Sequence, residues 1–283
     1  MKRILFLIFL AACLFPSGKA QMSDVDYTVG DSLLVERFLE NLAASPAPST
    51  QEGMLKTAHF FLETPYVGGT LEHEPEELVV NLRELDCTTF VETVLALLWT
   101  AENGATSFRD YCNVLRQIRY RFGEVSYLQR LHYTADWKFE NEKSGLLKDV
   151  TAEIPGAKPL PLSLSFISTH VEAYPPLKKH SEWVETIRQQ EKTASRRAYF
   201  YLPKENLSAA EAFIQDGDIL GFVTSIEGLD VTHLAIACRE KGKLTFLHAS
   251  SSAKKVVLNS TSLQMYLAGM KKTIGLWVFR PVF

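Results

Sequence analysis

The chain has 283 residues, 46% of them hydrophobic, with 30 basic against 33 acidic side chains and a formal charge of −3. That length allows one large domain or two small ones, and the composition carries no bias towards disorder or low complexity. No basic stripe is present, which argues against nucleic acid as a partner.

The chain opens MKR-ILFLIFLAACLF-PSGKA. A basic start, an apolar run too short to span a bilayer, and small residues at Gly18 and Ala20 read as a secretory signal peptide over 1–20. A second reading takes Leu10-Ala11-Ala12-Cys13 as a lipoprotein box, with Cys13 the lipidated first residue of an anchored protein. Either way the chain is expected to be exported, periplasmic or extracellular, and no later stretch reaches transmembrane length. Cleavage after Ala20 removes Lys2, Arg3 and Lys19 and no acid, taking the charge to −6.

Residues 31–64 read as helical, with Leu33, Leu34, Phe38, Leu39 and Leu42 on one face, then Leu55, Ala58, Phe61 and Leu62 after the break SPAPST. TPYVGGT ends this stretch, since Pro65 cannot continue a helix and Gly68-Gly69 permits a sharp turn. In LDCTTFVETVLALLW, Asp86 is a good N-cap, and Phe90, Val91, Val94, Leu95 and Leu98 repeat at helical spacing behind it. The helix is expected to stop near Asn103-Gly104, and another spans 107–122. From about 124 to 205 the pattern loosens into aromatic- and proline-rich segments with a polar helix near 180–195. Residues 216–283 are short β-rich runs between turn residues, read as a meandering antiparallel sheet. Helices first and sheet last make the fold class α+β.

Beyond Cys13 the chain holds Cys87, Cys112 and Cys238. An odd count in an exported protein leaves at least one free thiol, which needs a reason in an oxidising compartment. Cys112 and Cys238 sit inside apolar patterns and read as core residues. Cys87 stands at the first turn of a helix, where unpaired N–H groups and the dipole favour a thiolate near neutral pH. It reads either as a small buried residue or as a nucleophile. A thiol nucleophile needs a base, and the base needs a third group to orient it. His233 lies in VTHLAIA, where alternation sets it with Ala235 and Ala237 on one face. His248 lies in LTFLHAS, one tight turn away, so a hairpin brings the two histidines onto neighbouring strands. Each alone reads as structural; together with Cys87 they form the order Cys–His–polar.

This order and its surroundings resemble the NlpC-type cell-wall cysteine hydrolases, which have a papain-like fold. PYVGG carries Tyr66, Asp86-Cys87-TTFV resembles the nucleophile helix, DGDIL resembles the strand opening, THLAIA carries the base and LHASS the third residue. RLHYTADW, STHVEAYPPL, YLPKE, GLDVTHLAIA and HASSSAKKVV are more closely similar to a subgroup of N-acetylmuramoyl-L-alanine amidase-like proteins. The resemblance covers the chain from roughly residue 50 onward. It implies a papain-like core, with the nucleophile helix among N-terminal helices and a C-terminal antiparallel sheet. Residues 21–283 form one catalytic domain, and because Cys87 and His233 are 146 positions apart, a large insertion over about 104–205 builds extra walls.

The resemblance further implies cleavage between the lactyl group of N-acetylmuramic acid and L-alanine in peptidoglycan or muropeptides. Cys87 is the nucleophile, His233 the base and His248 its orienter, with Tyr66 and the Cys87 N–H holding the oxyanion. Asp86 either only caps the helix or also reads substrate. The alternatives are a γ-D-glutamyl–diamino acid endopeptidase and a non-catalytic cell-wall binding protein. Within the insertion, Tyr133, Trp137, Ser168, His170 and Tyr174 either contact a sugar or stem peptide or glue an irregular segment to the core. No metal or organic cofactor is expected: H-E-x-x-H and C-x-x-C are absent, and the seven histidines have no ligand spacing.

Overall fold

The structure is a computed structural model and describes Met22 and residues 24–283. The expected signal peptide and the lipoprotein Cys13 lie outside the described residues. The chain runs β1 (Val25–Tyr27), α1 (Val29–Ala44), α2 (Thr50–Phe60), β2 (Leu78–Val80), α3 (Cys87–Glu102) and α4 (Phe108–Arg119). It continues through α5 (Thr134–Lys143), β3 (Leu147–Asp149), β4 (Lys158–Pro159), α6 (Phe166–Thr169), α7 (Pro175–Lys179), α8 (Trp183–Ser195) and β5 (Phe200–Pro203). The last part holds α9 (Leu207–Ala210), β6 (Ile219–Thr224), β7 (Val231–Glu240), β8 (Lys243–Ser250), β9 (Lys255–Leu258), α10 (Leu263–Gly269) and β10 (Thr273–Pro281). Among the described residues no helix is long and apolar enough to cross a membrane.

The architecture is α+β, with N-terminal helices on one face of an eight-stranded sheet ordered β4-β5-β10-β6-β7-β8-β9, and β3 also pairing with β10. Period-two alternation divides the sheet's side chains between two cores. Leu234, Ile236 and Leu247 join the core beneath the helices, whereas Ala235, Ala237, Phe222 and Phe246 join a second core covered by Leu263 and Leu267 of α10.

The α3 helix departs from the amphipathic stripe that its spacing predicts. It is buried from Thr89 to Leu98 on all sides, because α1, α2 and α4 surround it and β7 and β8 lie against it. An all-round apolar helix belongs in the interior, and VLALL supplies that surface. It ends as expected, with Asn103 as C-cap and Gly104 at φ +73°.

Two expectations change. The final sheet is a meander only through β9; α10 then carries the chain back over the sheet, so β10 pairs with β6. The 104–205 segment also contributes β3, β4 and β5 to the same sheet, and its Trp137 and Tyr199 sit in the main core. These strands have two to four residues, too few for alternation to show. The predicted 107–122 helix stops at Arg119, because Tyr120 is extended and Phe122 and Gly123 take positive φ.

Candidate active site

Cys87 is the first residue of α3 and is partly exposed. Asp86 caps the helix: its Oδ1 accepts from Thr88 N (3.0 Å), Thr89 N (2.8 Å) and Thr89 Oγ1 (2.9 Å), and its own N–H donates to Thr89 Oγ1 (2.9 Å). The N–H groups of Leu234 and Cys87 and the Thr88 side chain are turned to the sulfur and favour its charged form, yet burial, reinforced by the Asp86 charge, pushes the thiol up to about 11. Desolvation and a neighbouring carboxylate thus work against the thiolate that the helix N-terminus favours.

The α3 helix that opens at Cys87 packs against β7 and β8, the strands that carry His233 and His248. The β7–β8 hairpin turns at Lys241-Gly242, both with positive φ as a two-residue turn requires. Its register (Ile236 opposite Leu247) sets His248 diagonal to His233, and His233 Nε2 lies 2.7 Å from His248 Nδ1. That contact engages Nε2 of His233 and leaves Nδ1 as the ring nitrogen not held by His248. Phe222, Phe246 and Tyr266 surround the pair, and His248 is 3% exposed. Burial, then the neighbouring His248, lowers His233 to about 3, and burial lowers His248 to about 4. Both rings are neutral at pH 7.

Tyr66 is held in place by backbone bonds on two sides: its N–H donates to the Lys254 carbonyl (2.9 Å), and Val67 N–H donates to the Leu85 carbonyl (3.2 Å). Burial, Cys87 and Asp86 all raise its hydroxyl, which places that group in the field of both. Asp230, a residue that sequence reasoning missed, ties the start of β7 to α5. Its Oδ2 accepts from Ala135 N and its Oδ1 from Val231 N, each at 2.7 Å, and burial raises it to about 6. It serves as a remote N-cap, since α5 has no side-chain cap from Tyr133.

A cavity of about 210 Å³ opens beside Asp86 and Thr88, and Glu72, Glu92, Arg119, Arg130, His132 and Tyr174 are among its other walls. Of the insertion residues named from sequence, only Tyr174 reaches it. Tyr133 is buried, donating to Glu191 Oε1 (2.8 Å) and accepting from Ile167 N (2.9 Å). Ser168 is buried, its N–H donating to the same carboxylate (3.0 Å). His170 is exposed, stacked on Phe166 at 4.0 Å, and bonded to that residue's carbonyl. Trp137 is 2% exposed and packs against Phe279, so it offers no face to a sugar and its reading as a substrate contact is corrected. Trp137→Ala should cost about 3–5 kcal/mol of stability as a cavity-forming core change. A urea titration checks this; a KM change in a fully stable variant would contradict it. Cys112 and Cys238 are buried free thiols. Among the described residues no group of three or more His, Cys, Asp or Glu side chains is gathered as a metal ion would require.

The AmiA-like family model, described as N-acetylmuramoyl-L-alanine amidase-like, matches residues 56–274. The chain belongs to this family. A solved N-acetylmuramoyl-L-alanine amidase from Bacteroides uniformis is 39% identical over 83% of this chain and 99% of its own, with a TM-score of 0.79. A Bacteroides fragilis protein whose xylanase name is provisional is 41% identical over 80% of this chain and 99% of its own, with a TM-score of 0.75. A Legionella pneumophila protein shares the fold at 23% identity and TM-score 0.70, covering 90% of this chain and 95% of its own. No curated protein matches. Family and neighbours together make the chain an amidase-like hydrolase.

Proposed function

We propose that this chain is an exported cysteine amidase with a papain-like core, cutting the bond between the lactyl carbonyl of N-acetylmuramic acid and L-alanine in peptidoglycan fragments. The observation that carries the reading is the 2.7 Å His233–His248 ring contact on the β7–β8 hairpin, which packs against α3, the helix that opens at Cys87. A helix bearing a thiol at its N-terminus, laid on an antiparallel sheet bearing the base, supports the papain-like assignment.

In the reaction, His233 Nδ1 takes the Cys87 proton as the sulfur bonds to the carbonyl carbon. The oxyanion is held by the Cys87 N–H and the Tyr66 hydroxyl. The C–N bond then breaks as the imidazolium returns its proton to the departing amine of L-alanine. Water attacks the thioester, His233 takes its proton, and the lactyl acid leaves with the thiol restored.

The γ-D-glutamyl–diamino acid endopeptidase reading is favoured by one feature. Asp86 Oδ2 has no partner among the described residues and suits a free ammonium. Glycan hydrolysis, suggested by the provisional xylanase name, needs two carboxyl groups free for acid and base work; here Glu72 and Glu92 are held in arginine pairs. Mass spectrometry of a muropeptide digest separates the readings. The expected products are a saccharide ending in the free lactyl acid and a stem beginning with L-alanine. A fragment ending in D-glutamate plus a free diamino-acid amine would replace the amidase by the endopeptidase.

A further inference from the structure

We propose that Tyr266 is a positioning residue for the histidine pair: from α10 it closes an aromatic box that keeps water off His248 and holds its ring towards His233. The inference rests on the cysteine amidase reading for what the pair does, and on the packing of the box for what Tyr266 does to it.

Alternation along β7 sets His233 on one face with Ala235 and Ala237, which fill little of the space beside it. Phe222 of β6 and Phe246 of β8 fill part of that space and meet each other edge-on at 5.6 Å. A third ring comes from α10, which Leu263 and Leu267 anchor in the second core. Tyr266 follows Leu263 by three residues and so shares its side of the helix, whereas Met265 is 67% exposed. Phe222, Phe246 and His248 are buried and Tyr266 is partly exposed, which makes Tyr266 the outer wall of the box.

The strand that carries His248 also fixes the approach of this wall. Asn259 N–H donates to the Phe246 carbonyl (2.9 Å), and Thr245 Oγ1 shares its proton between the Asn259 and Thr261 carbonyls (each 2.9 Å). Ser262 then caps α10, its Oγ accepting from Met265 N (3.2 Å). From there the Tyr266 ring meets Phe246 at 4.9 Å, Phe222 at 5.9 Å and His248 at 6.0 Å. The angles are 76°, 77° and 81°, and Phe246 meets His248 at 4.8 Å and 71°. Edge-to-face packing on two sides fixes the plane of the His248 ring.

That plane, and the dryness of the box, bear on proton transfer. For His233 Nδ1 to take the thiol proton, the proton of the neutral ring sits on Nε2 and is donated to His248 Nδ1, 2.7 Å away. His248 must then be neutral with Nδ1 bare. A protonated His248 would donate through Nδ1 instead, which shifts the proton of neutral His233 onto its own Nδ1 and blocks the base. Excluding water disfavours that charged form. The groups facing His248 add no charge: they are His233 of β7, Tyr266 of α10 and, opposite it on β9, Val257. Burial lowers His248 to about 4 and raises the Tyr266 hydroxyl.

NMR titration of the imidazole signals in the full chain tests this without substrate. His248 should stay neutral down to about pH 5 in the wild-type chain. Tyr266→Ala opens the box, and His248 should then titrate about one pH unit or more higher, towards 6.5. Tyr266→Leu keeps most of the core volume, should shift His248 in the same direction, and serves if Tyr266→Ala does not fold. Tyr266→Phe keeps the ring and should restore the wild-type titration. Leu267→Ala removes core volume from the same helix without removing a ring, and should lower stability while leaving His248 where it is. With substrate, Tyr266→Leu should lower kcat roughly 10- to 100-fold and leave KM within about twofold, since a misplaced base slows the chemical step and not binding. An unshifted His248 in the folded Tyr266→Ala or Tyr266→Leu chain would overturn the assignment. So would a Tyr266→Phe chain that titrates like Tyr266→Leu, the same shift in Leu267→Ala, or a wild-type His248 that already titrates at 6.5. The amidase reading fails instead on the products of wild-type digestion, so the two failures are distinct.

Discussion

Cys87→Ala should lower amide hydrolysis by on the order of 10⁴- to 10⁶-fold, the loss seen when the nucleophile of a catalytic triad is removed. Cys112→Ala and Cys238→Ala should remain active, because both thiols are buried away from the cavity and burial pushes each up to about 12. The same thiol predicts an unusual labelling profile. A group at about 11 is thiolate in roughly one molecule in 10⁴ at pH 7. Iodoacetamide should therefore modify Cys87 ahead of the other two, with a rate rising about tenfold per pH unit between about pH 7 and 10. A flat profile would mean that a thiolate–imidazolium pair already exists in the resting enzyme. Equal labelling of all three thiols, or an active Cys87→Ala protein, would remove Cys87 as the nucleophile and revive the cell-wall binding protein.

His233→Ala should cost about 10²- to 10⁴-fold in kcat/KM, the span of a general acid–base group. The pH profile distinguishes this structure from an ordinary imidazole site. His233 is lowered to about 3 and His248 to about 4 from 6.5, so the base stays unprotonated through mild acid. The acid limb of kcat/KM should fall below about pH 5, well under the usual imidazole range. Stability needs a parallel measurement. With folded values depressed, the unfolded chain binds more protons between these values and 6.5. The stabilisation is thus fully present above pH 6.5 and is lost as pH falls towards 4 and 3. Circular dichroism across the same range separates unfolding from loss of the base. An acid limb at 6.5 in a fully folded protein would show that His233 is not held as described.

Local chemistry made much of the site legible from sequence. Asp86 before an apolar helical repeat announces a helix opening at Cys87, because capping and periodicity act within a few residues. Alternation in VTHLAIA and LTFLHAS, with Lys-Gly between them, is enough to place His233 near His248, because strand period and turn geometry are also local. What depends on many distant neighbours was not legible. For Trp137 the sequence leaves ligand contact and core packing open, and the structure decides for core through Phe279, 142 positions further along. The cavity draws Glu72, Asp86, Arg119, Arg130 and Tyr174 from separate segments, and no spacing links them. The thiol shows the division within one residue. Sequence placed Cys87 at a helix N-terminus, which favours the thiolate, whereas the tertiary structure half-buries it beside the Asp86 charge, and desolvation by the surrounding elements pushes the thiol the other way.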